Sequence, residues 1–226
     1  MVSRSAWYFR FTAYVGLLKI GQLRESLDKV FVSAAAGGVG SVACQIAKIK
    51  GCYVVGSSGS KQKVEWLVNE AKVDYVLNYK TLGEDNISSE LKKAFPNGID
   101  LYFDNVGGKH LEAAIHNMDL FGRIVLCGST STYNATTENT SSTDGPISLS
   151  LAVSHRLRLQ GFIYEDHYDM LDQFRYDMSK WITEGKIKWN EAIYEGLENA
   201  PKAFIALFKG ENFGRTLVKV APDTKS

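Results

Sequence analysis

The sequence predicts an α/β fold of the doubly wound Rossmann type, in which helices cover both faces of a parallel sheet. Three observations lead to this class. Short β-rich runs recur at nearly regular intervals, segments with helical periodicity separate them, and a glycine cluster follows the first run. The runs are apolar on both faces, as in a buried parallel sheet. The 226 residues, 45% of them hydrophobic, can bury one sizeable core.

Six strands are expected in the main part of the chain. They are KVFVSA (29–34), CYVVG (52–56), YVLN (75–78), IDLYFD (99–104), RIVLC (123–127) and LRLQGFI (157–163). Helices between them are predicted by the spacing of Val42, Ile46 and Ile49, of Val64, Leu67 and Val68, of Ile87, Leu91 and Phe95, and of Leu111, Ala114, Ile115 and Met118. The alternation is typical of repeated βα units.

The regular alternation of strands and helices is interrupted after the fifth strand. Residues 129–146, STSTYNATTENTSSTDGP, are polar and predict a long surface loop. Two helices are expected after the sixth strand, one carrying Met170, Phe174, Met178, Trp181 and Ile182, the other beginning at Asn199 and Pro201, carrying Phe204 and Phe208 and stopping at Gly210. RTLVKV near the end predicts one last strand.

Charge and composition exclude several classes of partner. Lysine and arginine total 26 against 25 acidic residues, so the net charge of +1 favours neither nucleic acid nor an anionic membrane. No apolar run approaches the roughly 20 residues that span a bilayer, and MVSRSAWYFRF mixes arginines with aromatics instead of forming a signal-peptide core. We therefore expect a cytoplasmic protein. Cys44, Cys52 and Cys127 lack CxxC spacing and nearby histidines, which predicts reduced thiols and no metal site.

The glycine cluster AAAGGVG (34–40) lies between the first strand and the first helix of the repeat. A tight turn here presents the unpaired N–H groups and the positive end of the helix dipole to an anion. Gly37 suits the close approach of a pyrophosphate and Gly40 the close packing of helix on strand, whereas Ala35 breaks the strict GxGxxG pattern. Glycines that only relieve crowding at the turn are the alternative. The strand, helix and second strand around the cluster favour a dinucleotide.

The end of the second strand indicates which dinucleotide. NAD sites place an acidic residue here for the ribose 2′-hydroxyl. Residues 56–63, GSSGSKQK, contain no carboxylate. Hydroxyl groups and positive charges suited to a 2′-phosphate are offered instead by Ser57, Ser58, Ser60, Lys61 and Lys63. The alternative is that the lysines simply lie on a solvated helix face. Because the acidic residue is also missing, the lysines favour NADPH.

Several ordered segments resemble one family. TAYVGLLKIG, VFVSAAAGGVGSVACQIAKIKGCYVVGSSGS, VLNYKT, DLYFDNVGG, GRIVLCGSTSTYN and GENFGRTLVKV are similar to the zinc-independent medium-chain reductases of the alkenal double-bond reductase and prostaglandin reductase group. The resemblance runs from about Thr12 to Val220. The glycine loop of that group is AxxGxxG, matched by Ala34, Gly37 and Gly40, which explains the broken GxGxxG pattern.

The resemblance implies NADPH-dependent reduction of the carbon–carbon double bond in α,β-unsaturated aldehydes and ketones, with hydride transfer to the β-carbon. Its cofactor residues would be Ala34, Gly37, Gly38, Val39 and Gly40 in the loop, Ser57, Ser60, Lys63 and Tyr79 toward the 2′-phosphate, Asn105, Cys127 and Gly128 along the nicotinamide ribose, and Asn212 near the carboxamide.

Tyr133 is the catalytic candidate by the same resemblance. It would hydrogen-bond the substrate carbonyl or help to deliver the proton, and an exposed loop tyrosine is the alternative. Phe162 and Tyr164 are expected either to line the substrate pocket or to belong to the core.

The sequence departs from the family at its front, where members carry a further domain ahead of the TAY helix. We expect a truncated reductase in which residues 1–27 are an extension and helix remnant, 28–190 bind NADP, and 191–226 normally rejoin the missing domain. RTLVKV is then expected to lack a partner strand. Besides a reductase fragment, two alternatives are an inactive NADPH-binding module that pairs with a subunit, since related enzymes dimerise through this domain, and an unstable remnant with exposed apolar surface.

Overall fold

The β-rich runs form a six-stranded sheet in the computed structural model, which describes residues 7–133 and 149–220. The strands are β1 (Lys29–Val32), β2 (Tyr53–Ser58), β3 (Tyr75–Asn78), β4 (Ile99–Asp104), β5 (Met118–Leu126) and β6 (Arg158–Gly161). Every neighbouring pair is parallel, and the order is β3-β2-β1-β4-β5-β6. This is the Rossmann order, in which the sheet grows in opposite directions from β1 and β4, so the predicted fold class is confirmed.

Helices cover both faces of this sheet. They are α1 (Trp7–Val15), α2 (Gly40–Ile49), α3 (Lys61–Asn69), α4 (Tyr79–Leu82), α5 (Ile87–Ala94), α6 (Gly108–Asn117), α7 (Leu149–Ser154), α8 (Leu171–Thr183) and α9 (Ala200–Phe208), with a π-helical turn at Gly16–Ile20 after α1. A hydrophobic core lies on each face of the sheet, and alternate residues of β1 point into one or the other. Val30 and Val32 pack with α1, α2 and α8, while Phe31 packs with α5 and α6. Within the two described ranges, no helix has the length and apolar character needed to cross a membrane.

The last predicted strand has a partner, contrary to expectation. β8 (Arg215–Lys219) pairs in parallel with β7 (Glu191–Glu195), and Ile193 lies opposite Leu217. β7 was not predicted, because EAIYE is short and has glutamates at both ends. The expectation that RTLVKV would be unpaired is therefore wrong.

The fifth strand also differs from its prediction. It begins at Met118 instead of residue 123, and α6 ends at Asn117. Met118 was assigned to the helix by its spacing, yet it is extended, with ψ 144°, and buried. An apolar residue at the junction of a helix and a strand fits both the helical and the strand periodicity. The sequence pattern therefore assigns Met118 to the wrong element. Of the predicted polar loop, Thr130–Thr132 form a 3₁₀ turn, and residues 134–146 lie outside the described residues.

Candidate active site

The glycine loop joins β1 to α2 at the carboxyl edge of the sheet. Ala34 has a positive φ of 46°, and its carbonyl oxygen accepts a 2.9 Å hydrogen bond from the N–H of Gly37. A Cβ atom on Gly40 would lie 2.4 Å from that same oxygen. The close packing of helix on strand expected at Gly40 is therefore present, and only glycine fits there.

The amino-terminal end of α2 has no side-chain cap. Val39 is its N-cap residue and offers no side-chain capping hydrogen bond, while the N–H groups of Ser41 and Ala43 donate to the carbonyl oxygens of Gly37 and Val39 at 3.0 Å and 2.9 Å. The positive end of the helix dipole lies at the same place. Gly38 is covered on one side, because a Cβ atom there would contact the ring of Phe9 at 3.4 Å. The turn thus has the chemistry of an anion site.

Basic and hydroxyl groups meet at the carboxyl end of β2. Ser60 is the N-cap of α3, and its Oγ accepts a hydrogen bond from the N–H of Lys63 at 3.4 Å. A Cβ atom on Gly59 would lie 2.7 Å from the Tyr79 hydroxyl and 3.2 Å from Cε of Lys80. The structure therefore brings Ser60, Lys63 and Tyr79 together and adds Lys80, which sequence reasoning missed although it follows Tyr79 directly.

The two lysines of this cluster are held close to one another. Burial lowers the pKa of Lys63, and the charge of Lys80 lowers it further. Lys63 Nζ donates to the carbonyl oxygen of Gly210 at 2.7 Å, and neither lysine belongs to an ion pair among the described residues. Ser57 is buried nearby in β2, and its Oγ has no hydrogen-bond partner within the part of the chain described. A ligand with negatively charged oxygens would satisfy these groups.

The end of β4 is fastened to the end of β1. Asn105 donates through Nδ2 to the carbonyl oxygen of Ser33 at 2.7 Å and through its backbone N–H to Ser33 Oγ at 2.9 Å. The two strands are neighbours at the point where the sheet order reverses, which is where open α/β sheets bind ligands. Asn105 therefore lies at the edge of this crevice, held by Ser33, a contact that the sequence did not reveal.

Asp104 shapes the turn that follows β4. Its Oδ1 accepts hydrogen bonds from the Tyr102 hydroxyl at 2.6 Å and from the N–H groups of Val106 and Gly107 at 2.9 Å each. Asp104 is buried, so these bonds fix the DNVGG turn firmly. The residue was missed because its role depends on contacts within the turn. The only sequence feature that indicates a role for Asp104 is its position directly before Asn105.

Cys127 and Gly128 lie beside this turn. Their N–H groups donate to the carbonyl oxygen of Asp104 at 2.9 Å and 3.0 Å, and a Cβ atom on Gly128 would be 3.1 Å from the carbonyl oxygen of Asn105. Burial, with a smaller contribution from Asp104, raises the pKa of the Cys127 thiol to about 12. A thiol with this pKa is protonated near pH 7 and is not a nucleophile.

Asn212 is brought against the glycine loop by the carboxyl-terminal segment. Its Nδ2 donates to the carbonyl oxygen of Gly214 at 3.1 Å, and the N–H of Gly214 donates to the carbonyl oxygen of Ala36 at 3.2 Å. Gly214 also forms an isolated parallel bridge with Gly37. Asn212 and the loop therefore share one edge of the site.

Tyr133 stands apart from the other predicted residues. Its side chain is 61% exposed, and its N–H donates to the carbonyl oxygen of Thr130 at 3.4 Å. The N–H of Thr130 in turn donates to the carbonyl oxygen of Asn105 at 3.2 Å, which places Tyr133 one turn away from the crevice. Phe162 and Tyr164 pack against the core beneath α1 instead of forming a separate pocket wall.

The donor set fits a dinucleotide that carries a 2′-phosphate. The loop leaves a cradle that Cβ atoms would fill, an uncapped helix begins there, and two lysines with an unpartnered serine hydroxyl lie at the end of β2. Among residues 7–133 and 149–220, no group of three histidine, cysteine or acidic residues is placed to hold a metal ion.

Comparison with known proteins agrees with this geometry. The family model described as zinc-binding dehydrogenase matches residues 38–183. Prostaglandin reductase 1 of Bos taurus is 47% identical over 92% of this chain and 61% of its own length, and the NADP(+)-dependent 2-alkenal reductase of Nicotiana tabacum is 42% identical over 93% and 59%. The crystal structure of CurA from Vibrio vulnificus in complex with NADPH superposes with a TM-score of 0.85 at 40% identity, covering 93% of this chain and 62% of CurA.

The chain spans about 60% of the length of these curated relatives. The family model's match begins within the glycine loop and runs through β6 to the end of α8, so it includes Asn105, Cys127 and Gly128 but neither Ser33 nor Asn212. The chain belongs to the zinc-binding dehydrogenase family and, within it, to the zinc-independent group of alkenal double-bond and prostaglandin reductases.

Proposed function

We propose that this chain provides the NADPH-binding domain of a reductase that transfers hydride to the β-carbon of α,β-unsaturated aldehydes and ketones. The observation that carries the proposal is the cluster of Lys63, Tyr79 and Lys80 at the end of β2. Residues 56–63 contain no carboxylate of the kind that binds the ribose 2′-hydroxyl of NAD. Two ammonium groups kept close together and partly desolvated are stabilised when a dianionic phosphate lies between them.

Each part of the crevice has a defined task in this proposal. The glycine loop binds the pyrophosphate through its backbone N–H groups, at the positive end of the α2 dipole. Ser33 holds Asn105 in place, and Asp104 holds the turn that includes Asn105. These contacts orient the nicotinamide half against the substrate. Bound NADPH supplies the hydride.

The chain must also stabilise the enolate that develops and protonate its α-carbon. Tyr133 is proposed for this task, because it is an exposed hydroxyl next to the turn that contacts Asn105. The relatives support the chemistry: they include prostaglandin reductase, 2-alkenal reductase and the (+)-pulegone reductase of Mentha piperita, which is 43% identical. The alternative is an NADPH-binding module without turnover, which the 61% exposure of Tyr133, one turn away from the crevice, favours.

Domain limits, assembly and location belong to the same proposal. We assign residues 1–27 to an extension with a helix, 28–190 to NADP binding and 191–226 to a closing segment, a division supported by the second sheet that begins at Glu191. We propose a homodimer formed through the cofactor domain, for which β6 is an edge strand of the sheet in the described part of the chain, and a cytoplasmic location. Light scattering of the purified chain tests the assembly.

The decisive experiment titrates the purified chain with NADPH and NADH and then adds a simple enal to the same sample. NADPH binding that exceeds NADH binding, followed by enal-dependent consumption of NADPH, supports the reductase. Binding without consumption supports the module instead. No binding of NADPH contradicts both.

Lys63→Glu tests the phosphate assignment. It should weaken NADPH binding about tenfold or more while changing NADH binding little, because it replaces a favourable charge pair with a repulsive one. Lys180→Glu is the control, since Lys180 is an exposed lysine on α8 and not on the helix that follows β2. Equal weakening of both cofactors by Lys63→Glu would count against a 2′-phosphate site.

A further inference from the structure

His110 lies in the first turn of α6 and contacts the cluster at the end of β2. The rings of His110 and Tyr79 meet edge to face, with their centres 5.2 Å apart and their planes at 83°. His110 is 4% exposed, so nearly the whole of its ring is enclosed by protein. A lone histidine gives no such signal in the sequence, because the contact joins two separate elements of the fold.

The Tyr79 hydroxyl occupies a confined position. A Cβ atom on Gly59 would lie 2.7 Å from the hydroxyl oxygen and 3.2 Å from Cε of Lys80. Tyr79 is half-buried, and burial, with a smaller contribution from Glu84, raises its pKa. The hydroxyl therefore keeps its proton near pH 7 and can donate it in a hydrogen bond. The backbone at Gly59 limits the hydroxyl, and the ring of His110 supports the ring of Tyr79.

The position of His110 is fixed by the turn that precedes α6. Gly107 is the N-cap residue of this helix, and its N–H donates to Asp104 Oδ1 at 2.9 Å. The carbonyl oxygen of Gly107 accepts a 3.2 Å hydrogen bond from the N–H of Leu111. The same carboxylate holds the turn that contains Asn105, so α6 connects this turn with the cluster at the end of β2.

The imidazole of His110 adds no charge to the lysines of the cluster near pH 7. Burial lowers the pKa of His110 to about 4, which leaves the ring neutral. Its Nε2 is buried and has no hydrogen-bond partner among residues 7–133 and 149–220. His110 therefore meets Tyr79 as a neutral aromatic ring, and edge-to-face pairs of this kind are attractive beyond the area that they bury.

We propose that His110 is a positioning residue for cofactor selection, whose ring holds the Tyr79 hydroxyl beside Lys63 and Lys80 where that hydroxyl binds a 2′-phosphate. The inference rests on the proposed function. His110 acts through Tyr79 and is not itself a ligand of the phosphate. NADH has a hydroxyl group in place of the 2′-phosphate, so the contact contributes to the binding of NADPH far more than to that of NADH.

His110→Ala removes the ring and tests this role. Titration of the purified chain with NADPH and with NADH gives two dissociation constants, whose ratio is the preference for NADPH. The preference should fall about threefold to tenfold, because Tyr79 loses the ring that supports it. An unchanged preference, or an equal weakening of both cofactors, overturns the proposal. His110→Leu is measured alongside, because leucine fills the space that alanine leaves empty but has no aromatic edge; it should lose the preference as well.

His110→Phe is the conservative variant and should keep the preference, because it retains a ring against Tyr79. A loss as large as that of His110→Ala would overturn the role of the ring. Ile115→Ala is the matched control. Ile115 is fully buried on the same helix and packs in the core with α5, so its loss should lower the free energy of unfolding and leave the preference unchanged. Circular dichroism verifies the fold of each variant.

A double-mutant cycle with Tyr79→Phe shows whether His110 acts through the tyrosine hydroxyl. Tyr79→Phe removes only that hydroxyl and should itself reduce the preference for NADPH. His110→Ala added to Tyr79→Phe should reduce the preference no further, because the group that it positions is already absent. Losses that add in the double variant would overturn the proposal, since they would mean that His110 acts by another route.

The same titrations separate this inference from the proposed function. If the unaltered chain binds NADPH no better than NADH, the proposed function fails and the role of His110 fails with it. If the unaltered chain prefers NADPH and His110→Ala keeps that preference, the role of His110 alone fails and the 2′-phosphate site stands.

Discussion

Gly40 lies so close to Ala34 that a Cβ atom on Gly40 would be 2.4 Å from the Ala34 carbonyl oxygen. The backbone of α2 therefore touches the backbone that leaves β1, and no methyl group fits between them. The distance is shorter than any relaxed contact, and the atom in the way belongs to the main chain, which cannot turn aside as a side chain can.

Gly40→Ala should consequently displace α2 from the glycine loop. We expect a loss of about 1–3 kcal/mol of the free energy of unfolding, as for overpacking at a close contact, together with weaker cofactor binding. Urea unfolding and NADPH titration measure the two effects. Gly161→Ala is the control, because the nearest atom to its added Cβ is 4.0 Å away. Equal stability of both variants would contradict the contact.

Asp28, which directly precedes β1, binds two arginines at the amino-terminal edge of the sheet. Its Oδ1 accepts hydrogen bonds from Arg123 Nη2 and Arg24 Nε at 2.7 Å each, and its carboxylate is fully buried. Asp28→Asn removes the charge that compensates the largely buried Arg123. We expect a loss of about 3–5 kcal/mol, seen as a lower urea midpoint. Glu25→Gln, which breaks the exposed pair with Lys50, should change the midpoint little.

His110 provides a prediction of pH dependence. It is buried on α6 against the Tyr79 ring, with Nε2 unpartnered among the described residues, and burial lowers its pKa to about 4. In the unfolded chain the pKa is near 6.5, so the unfolded state binds the proton first as the pH falls. The contribution to stability is therefore complete above pH 6.5 and is lost as the pH falls to about 4.

The loss should be on the order of 3 kcal/mol over this window. His110→Phe keeps a ring of similar size and should remove that part of the pH dependence, measured as the difference in unfolding free energy from the unaltered chain. His116→Phe is the control, because His116 lies on the same helix but is half-exposed beside Glu112. If His110→Phe has the same pH profile as the unaltered chain, His110 is not the group responsible.

Tyr133→Phe tests the proposed proton donor. Removing the hydroxyl should lower the rate of enal reduction about tenfold or more and leave the NADPH dissociation constant unchanged, because a general acid acts on the chemical step. Rates at saturating enal and cofactor titrations separate the two quantities. Tyr176→Phe removes another exposed tyrosine hydroxyl, on α8, and should leave both unchanged. Unaltered turnover in Tyr133→Phe would exclude the hydroxyl from this task.

Local patterns predicted the sheet and the glycine loop well. The runs of β1, β2 and β4 are apolar on both faces, and this signal requires no knowledge of neighbours. β7 was missed because its pairing with β8 is between segments about twenty residues apart, and its two terminal glutamates hide a short apolar centre.

The site was predicted best where a residue acts through its own backbone, as Gly40 does, and least where it acts through a distant partner. Ser33 becomes a site residue only when β1 and β4 are neighbours, and Lys80 only when the end of β3 folds beside Gly59.

The hydrogen bond from the N–H of Gly214 to the carbonyl oxygen of Ala36 connects the loop after β1, which is synthesised early, with a segment that is synthesised near the end of the described chain. The first strand and its loop leave the ribosome long before residue 214 is made. During translation the loop must therefore wait for nearly the whole of the described chain before this support forms. A nascent chain should acquire its sheet early and its cofactor affinity late.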